Sequence, residues 1–267
     1  MTARMTLLQS LIRSAMPSVL GTDSDLKKRA MESVERRKDA NGETAAFFTE
    51  TNENIEQIIA GLKPEVDDSI LAICGSGDQA FALAEYGARV YAVDSSATQI
   101  AFARYRAKLL DGGNAEMFLA HGKDYLSIDT VNYFARRPRL DAIRSNLDRV
   151  SFHVADVFNL PTELRQRYTK IYLSNAHQYV EQIWHKEMHD LTELLAPKGL
   201  LYAAIQVDQF DECCRMRLKG VTTQIIRLHE GNIWDPSVYR KLPDTQRERG
   251  RQEERREQAC QGTVVDA

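Results

Sequence analysis

A glycine-rich turn between two short apolar runs is the segment of this chain best placed to do chemistry. The run Ile70 to Ile73 is followed by Gly75-Ser76-Gly77-Asp78, and the next apolar run ends at Asp94. Glycines let a backbone turn tightly against a ligand, and a carboxylate at the end of a strand accepts hydrogen bonds from ribose hydroxyls. The order strand, glycine turn, helix, strand, acid therefore predicts a nucleotide pocket.

The glycine pair alone does not say which nucleotide binds. Ala80 supplies the small residue that the dinucleotide fingerprint G-x-G-x-x-G requires, so a nicotinamide or flavin enzyme stays open at this point. The rest of the chain argues against that class of enzyme. Three further strand-like runs follow, over Val150 to Asp156, Lys170 to Asn175 and Gly199 to Ile205.

That succession of strands resembles the class I S-adenosylmethionine (SAM) transferases, from about Asn52 to Val207. The resemblance implies an α/β fold of the Rossmann-like SAM-dependent methyltransferase type. Its sheet is mostly parallel, with helices on both faces and a helical cap at the N-terminus. SAM is then the expected cofactor, used as a substrate.

The glycine loop itself is atypical of that superfamily, because Ala72 stands where an acid is usual. The loop Leu71 to Gln79 resembles instead the family that contains the diacylglycerol 3-amino-3-carboxypropyl transferases of betaine-lipid synthesis. The segments Val93 to Gln99, Ala120 to Lys123 and Leu173 to Asn175 match that family in the same order. The chain departs from the family at Phe48 to Asn54, which replaces a tryptophan-glutamate-aspartate-proline segment, at Gln79 and at Ser96-Ala97.

With SAM as ligand, we expect each strand end to bind a different part of the SAM molecule. Asp94, with Ser95 beside it, would bind the ribose hydroxyls, and Asp156 with the backbone of Val157 would bind the adenine. The backbone of Gly75, Ser76 and Gly77 would approach the amino-acid arm of SAM. We expect Asp78 to pair with the ammonium of that arm, unless it only caps the following helix.

Resemblance to the aminocarboxypropyl family favours attack on the γ-carbon of the amino-acid arm, with release of methylthioadenosine. Ser174 and Asn175 follow the fourth strand and are expected to hold the carboxylate or to steer the nucleophile. Among aromatic candidates to face the sulfonium by cation–π attraction, Tyr172, Tyr179 and Phe48, we select Tyr179. His177 and His121 are candidate proton acceptors.

The sequence does not identify the acceptor of the transferred group. This acceptor is a small molecule, a lipid, or SAM's own amino group, whose attack would close azetidine-2-carboxylate. A small-molecule methyltransferase is the alternative enzyme, and a non-catalytic SAM-binding protein is the alternative from another class. The resemblance supports the binding of SAM better than it supports any choice of acceptor.

Composition narrows the expected partners and compartment of this 267-residue chain. The net charge of -3 offers no basic field for nucleic acid. The four cysteines include no metal-binding spacing, so we expect no metal and a reducing compartment. The apolar stretch near the N-terminus is interrupted by Arg13 before it reaches the length of a membrane span. We therefore expect a cytoplasmic protein without integral membrane contact.

The chain divides into three predicted parts. Residues 1–45 are expected to form an amphipathic helical cap, with a membrane-surface anchor as the rival interpretation. Residues 46–230 form the SAM-binding domain, with an aromatic-rich insertion near 110–147 that we expect on the acceptor side. Residues 208–219 are predicted to be helical and 224–228 an edge strand. Residues 231–267 are predicted to be a charged tail.

Overall fold

The computed structural model describes residues 46, 48–51, 53–120, 133–179, 185–204, 216–219, 226–227, 233–234 and 236–242. The helices in these ranges are α1 (Ile55–Leu62), α2 (Asp78–Ala84), α3 (Ala97–Asp111), α4 (Ala115–Ala120), α5 (Arg137–Ser145) and α6 (His185–Glu193). The strands are β1 (Ser69–Ile73), β2 (Arg89–Asp94), β3 (Val150–Val154), β4 (Tyr168–Ser174), β5 (Leu195–Ala203), β6 (Met216–Lys219), β7 (Ile226–Arg227), β8 (Ile233–Trp234) and β9 (Ser237–Lys241).

Seven of the strands form one sheet in the order β3-β2-β1-β4-β5-β9-β6. The pairs from β3 to β5 are parallel, and β9 runs antiparallel to both of its neighbours. The chain fills one half of the sheet from β1 outward to β3 and then returns to place β4 on the other side of β1. In doubly wound sheets, ligands bind in the crevice at such a reversal, which lies here at the carboxyl ends of β1 and β4.

Helices cover the two faces of this sheet because its central strands are apolar on both sides. Ile70 and Ala72 of β1 pack with α1, α2 and α3 in one buried cluster. Leu71, the residue between them, points to the opposite face and packs with Met188 and Leu191 of α6. The predicted α/β fold, with a mostly parallel, Rossmann-like sheet and helices on both faces, is thus confirmed.

Helix α1 is capped by Asn54, whose side chain accepts a hydrogen bond from the backbone N–H of Gln57, at 3.1 Å. The side chain of Thr51 is engaged elsewhere, because it accepts hydrogen bonds from the N–H of Glu53 and from Gln79. The helix ends at Leu62, and Lys63 takes the left-handed conformation with φ 51°.

The C-terminal part of the sheet corrects two predictions. Residues 216–219 were predicted to be helical, but they form β6. Residues 237–241, placed in the charged tail that was predicted to begin at 231, form β9 between β5 and β6. The sequence did not predict this strand, because it contains the charged residues Arg240 and Lys241. Lys241 is nevertheless buried, at 1% exposure, and donates a hydrogen bond to the carbonyl of Thr192.

The remaining predictions for the two ends of the chain are tested only in part. Within the predicted edge strand at 224–228, residues 226 and 227 form β7, which pairs with β8. The predicted cap at 1–45 and the charged residues 244–257 lie outside the described residues. None of the helices described here combines the length and apolar character that crossing a bilayer would need.

Three aromatic residues of the predicted insertion are buried in the core. Phe118, Tyr133 and Phe134 are buried in the same cluster as Phe81 of α2. The rings of Phe81 and Phe118 meet edge to face, with their centroids 5.4 Å apart. Pro138 lies in the first turn of α5, where its missing N–H is tolerated.

Candidate functional site

The carboxyl ends of the parallel strands carry nearly all the residues that the sequence analysis selected. They follow β1, β2, β3 and β4 respectively, and therefore lie along one edge of the sheet. These residues are Gly75, Ser76, Gly77 and Asp78 after β1, Asp94 and Ser95 at β2, Asp156 and Val157 after β3, and Ser174, Asn175, His177 and Tyr179 at the end of β4.

The two glycines of the loop after β1 have different surroundings. Gly77 has φ 90°, and a Cβ there would stand 2.8 Å from the ring of Phe81, so this glycine is required by packing. Gly75 has φ 48°, and a Cβ there would meet no heavy atom within 4 Å. Gly75 therefore borders open space in which a ligand can approach the backbone.

Asp94 is held against this loop by its own carboxylate. Its two oxygens accept hydrogen bonds from the backbone N–H of Gly75, at 3.1 Å, and from that of Ser96, at 2.9 Å. Burial raises the pKa of Asp94 to about 6, since desolvation outweighs the two backbone hydrogen bonds. Each oxygen keeps a second lone pair for another donor, as ribose binding requires.

The end of β3 lies directly beside Asp94. The N–H of Ala155 donates to the backbone carbonyl of Asp94, at 3.0 Å, which places Asp156 and Val157 next to it. The Asp156 carboxylate accepts a hydrogen bond from the N–H of Phe158, at 3.0 Å, and this bond shapes the turn. Ser95 is exposed at the same edge.

Asp78 is not available to a ligand, which corrects the expectation that it pairs with an ammonium. Its side chain is 0% exposed and forms a salt bridge with Arg106, 2% exposed, at 2.6 Å. Its other oxygen accepts hydrogen bonds from the N–H of Thr51, at 2.7 Å, and from the hydroxyl of Ser76, at 2.8 Å. Both oxygens are therefore used to hold the fold together.

Residues 48–51 and 53, here called the cover segment, are fixed over the glycine loop by side chains from two helices. Gln99 of α3 both accepts from the N–H of Phe48, at 3.1 Å, and donates to its carbonyl, at 2.6 Å. Asp78 and Gln79 of α2 hold Thr51 through its N–H and its hydroxyl. These contacts bring Glu53 to the end of β4.

Glu53 is the centre of a buried polar network. Its Oε1 accepts hydrogen bonds from the hydroxyls of Tyr172 and Ser174, both at 2.5 Å. Gln79 donates from Nε2 to the same Tyr172 hydroxyl, at 3.0 Å. Burial raises the pKa of Glu53 to about 7, although the two hydroxyl hydrogen bonds oppose the shift.

The end of β4 is irregular where it meets this network. Ser174 has φ 54°, a conformation that residues other than glycine seldom adopt. The pairing of β4 with β5 shifts register between Tyr172 and Ser174. Asn175 lies next to the network, since its Oδ1 is 3.3 Å from the Ser174 hydroxyl. Strained backbone of this kind is common at functional sites.

The aromatic and histidine candidates separate into three cases. Tyr172 is fully buried against Tyr202 and directs its hydroxyl to Glu53, so it does not face a ligand with its ring. His177 is half-buried, its Nδ1 has no hydrogen-bond partner in the described part of the chain, and burial lowers its pKa. Tyr179 ends the short 3-10 helix after β4, and its side chain, like His121, lies outside the described residues.

Sequence reasoning missed Glu53, whose carboxylate links the cover segment to Tyr172 and Ser174 of β4. The segment from Phe48 to Asn54 does carry two acids, Glu50 and Glu53. The segment was treated as a departure from the family, since its tryptophan and proline are absent. The acids alone would have been the better guide.

The described site is rich in hydrogen-bond acceptors and poor in cations. Neither Asp94 nor Glu53 forms a salt bridge with a lysine or arginine in the described ranges. Over the same residues, no group of three or more His, Cys, Asp or Glu side chains is placed to hold a metal ion. Such a site suits a ligand that carries hydroxyls and positive charge.

Comparison with known proteins finds no matching family model and no matching curated protein. Solved structures with a similar fold include the N-methyltransferase NodS from Bradyrhizobium japonicum WM9, solved with S-adenosyl-L-homocysteine. It is 12% identical with a TM-score of 0.47, and the match covers 86% of this chain and 98% of NodS.

Two further structures show the same kind of likeness. A SAM-dependent methyltransferase from Methanosarcina mazei is 15% identical with a TM-score of 0.45, over 70% of this chain and 97% of that one. YcgJ from Bacillus subtilis is 14% identical with a TM-score of 0.39, over 56% of this chain and 49% of YcgJ. The chain thus spans about half of YcgJ, and these likenesses concern the fold alone.

Proposed function

We propose that this protein is a SAM-dependent transferase whose ligand lies across the carboxyl ends of β1, β2 and β4. The observation that carries the proposal is the pairing of Gly75 and Asp94 at the reversal of the strand order. Gly75 leaves open space beside a carboxylate that retains free lone pairs. An adenosine group needs both features, a backbone that it can approach and an acceptor for its hydroxyls.

The residues at the strand ends have the chemistry to hold each part of SAM. Asp94 accepts the ribose hydroxyls, and Asp156 with the backbone of Val157 binds the adenine. Ser174 and Asn175 hold the carboxylate of the amino-acid arm or steer the nucleophile. Tyr179 is proposed to face the sulfonium, by a cation–π contact worth about 0.5–2 kcal/mol.

We favour transfer of the 3-amino-3-carboxypropyl group with release of methylthioadenosine. Support comes from the acids near the amino-acid arm. Ala72 leaves the end of β1 without an acid, and Asp78 is committed to Arg106. The buried acid at the end of β4, Glu53, has a pKa of about 7 and is not permanently ionised at neutral pH. An amine beside it can lose its proton and act as a nucleophile.

The acceptor in this proposal is a small molecule or SAM's own amino group, which gives azetidine-2-carboxylate. Methyl transfer to a small molecule is the second candidate. It is favoured by His177, whose lowered pKa keeps it neutral and able to accept a proton from an incoming hydroxyl or amine. SAM binding without catalysis is the candidate from another class.

Product analysis after incubation with SAM separates these candidates. Methylthioadenosine in excess over a no-protein control indicates attack on the γ-carbon, and its release without an added acceptor indicates water or SAM itself as the nucleophile. S-adenosylhomocysteine indicates methyl transfer. Neither product, with SAM and a panel of small amines present, would contradict a transferase that uses SAM.

A further inference from the structure

Two buried oxygen atoms beside the end of β4 have no hydrogen-bond partner among the described residues. They are Oε2 of Glu53 and Oε1 of Gln79, on side chains that belong to residues 6% exposed in each case. The other atoms of both groups are well used, and both groups share the hydroxyl of Tyr172. The two unused acceptors therefore belong to one network.

Unpartnered buried acceptors are uncommon, because each loses its hydrogen bonds to water without compensation. Here two occur on side chains that share the Tyr172 hydroxyl, and nothing in the described part of the chain donates to either oxygen. A group that supplies several N–H donors and positive charge would satisfy both. A primary ammonium has three such donors.

The position of the network agrees with a ligand of this kind. Ser174, which donates to Glu53, ends β4 at the crevice, and β4 neighbours β1 in the sheet. The glycine loop after β1 leads into α2, which carries Gln79. The unpartnered oxygens therefore belong to residues on both sides of the crevice in which the proposed function places the amino-acid arm.

We propose that Oε2 of Glu53 and Oε1 of Gln79 form the binding site for the α-ammonium of SAM, and that Glu53 is the catalytic residue that takes a proton from it. This inference rests on the proposed function. It replaces Asp78, which the sequence suggested for the same contact and which is paired with Arg106 instead.

The reaction step balances in atoms and charge. Glu53 accepts one proton from the ammonium, and the lone pair thus released forms a bond from nitrogen to the γ-carbon. The bond from the γ-carbon to sulfur breaks, and its electron pair stays on sulfur, giving neutral methylthioadenosine. The ring nitrogen carries two hydrogens as a secondary ammonium, and Glu53 passes its proton to water.

The surroundings of Glu53 make it a suitable acceptor for that proton. Its pKa of about 7 is close to that of an α-amino group, which is about 8. Its titratable neighbours are Tyr172 and Tyr202, whose pKa values burial raises, so both remain neutral phenols. The charged pair of Asp78 and Arg106 contacts the cover segment at Thr51 and has no net charge.

Calorimetric titration of the full chain with SAM and with methylthioadenosine tests the inference, because methylthioadenosine lacks the amino-acid arm. For Glu53→Gln we expect the affinity for SAM to fall about 10- to 100-fold, as for a lost charge-assisted hydrogen bond. The affinity for methylthioadenosine should stay within about twofold. Glu65→Gln, the same change at an exposed position, should alter neither affinity.

The outcomes are distinct for the inference and for the proposed function. If Glu53→Gln lowers the affinities for SAM and methylthioadenosine equally, or lowers neither, the proposed role of Glu53 is overturned. The binding of SAM by the wild type is not affected by that result. Failure of the wild type to bind either ligand contradicts both proposals.

A measurement on the wild type alone keeps the inference testable if Glu53→Gln does not fold. The ratio of SAM to methylthioadenosine affinity should fall at least about threefold between pH 8 and pH 6, because protonated Glu53 carries no charge. A ratio independent of pH over this range would overturn the inference.

Discussion

Removing the carboxylate of Asp78 should destabilise the protein more than most single substitutions do. Asp78 and Arg106 form a salt bridge in which both side chains are almost wholly buried, at 0% and 2% exposure. Breaking such a pair leaves an unpaired buried charge and costs about 3–5 kcal/mol. For Asp78→Ala, this corresponds to a fall in Tm of roughly 6–20 °C.

The assay is thermal and urea unfolding followed by circular dichroism, with two comparison variants. Asp141→Ala breaks the exposed pair of Arg137 and Asp141, whose side chains are 79% and 61% exposed, and should cost less than about 1 kcal/mol. The double variant Asp78→Ala/Arg106→Met removes both buried charges. It should be more stable than Asp78→Ala alone, because an apolar chain suits the surrounding rings.

The same variant tests the role of Asp78 in holding the cover segment. Loss of the hydrogen bond from the N–H of Thr51 should expose that segment to proteolysis before global unfolding. If Asp78→Ala is no less stable than Asp141→Ala, the assignment of Asp78 to the fold rather than to the ligand is wrong.

Three further predictions concern the glycine loop and the two acids whose pKa values are raised, Asp94 and Glu53. Asp94→Asn should weaken SAM binding about 10- to 100-fold by calorimetry, since the amide replaces one acceptor with a donor; unchanged affinity would place the ribose elsewhere. Gly77→Ala should cost about 2 kcal/mol or more in urea unfolding, because its φ is 90° and its methyl would stand 2.8 Å from Phe81. The pKa of Glu53 is about 7 in the folded protein and 4.5 for an ordinary glutamate. Because the folded state holds the proton more tightly than the unfolded state, the free energy of unfolding falls as the pH rises from 4.5 to 7. Glu53→Gln should therefore exceed the wild type by up to about 3 kcal/mol at pH 8 and equal it near pH 4.5, whereas Glu65→Gln should show no such trend.

The parts of the fold that the sequence predicted are those set by local pattern. Apolar runs of strand length, glycines at turns and acids at strand ends all act over a few residues. They were sufficient to predict β1 to β4 and the position of Asp94. The left-handed glycines of the loop could likewise be expected, because only a residue without Cβ fits there easily.

The parts that escaped prediction depend on contacts distant in sequence. Asp78 of α2 meets Arg106 of the next helix, α3, 28 residues further along the chain, and nothing near either residue indicates their pairing. Strand β9 is short and charged at its end, and it forms by pairing with both β5 and β6. Glu53 becomes part of the site because the hydroxyls of Tyr172 and Ser174, more than a hundred residues further along the chain, donate hydrogen bonds to its carboxylate.

The most direct test of the central claim is a crystal structure of the protein with S-adenosylhomocysteine. The account predicts both ribose hydroxyls within hydrogen-bond distance of the Asp94 carboxylate, about 2.5–3.0 Å. It also predicts the amino group against Glu53 and Gln79. Density for the ligand away from the ends of β1, β2 and β4, or the amino group paired with another acid, would contradict it.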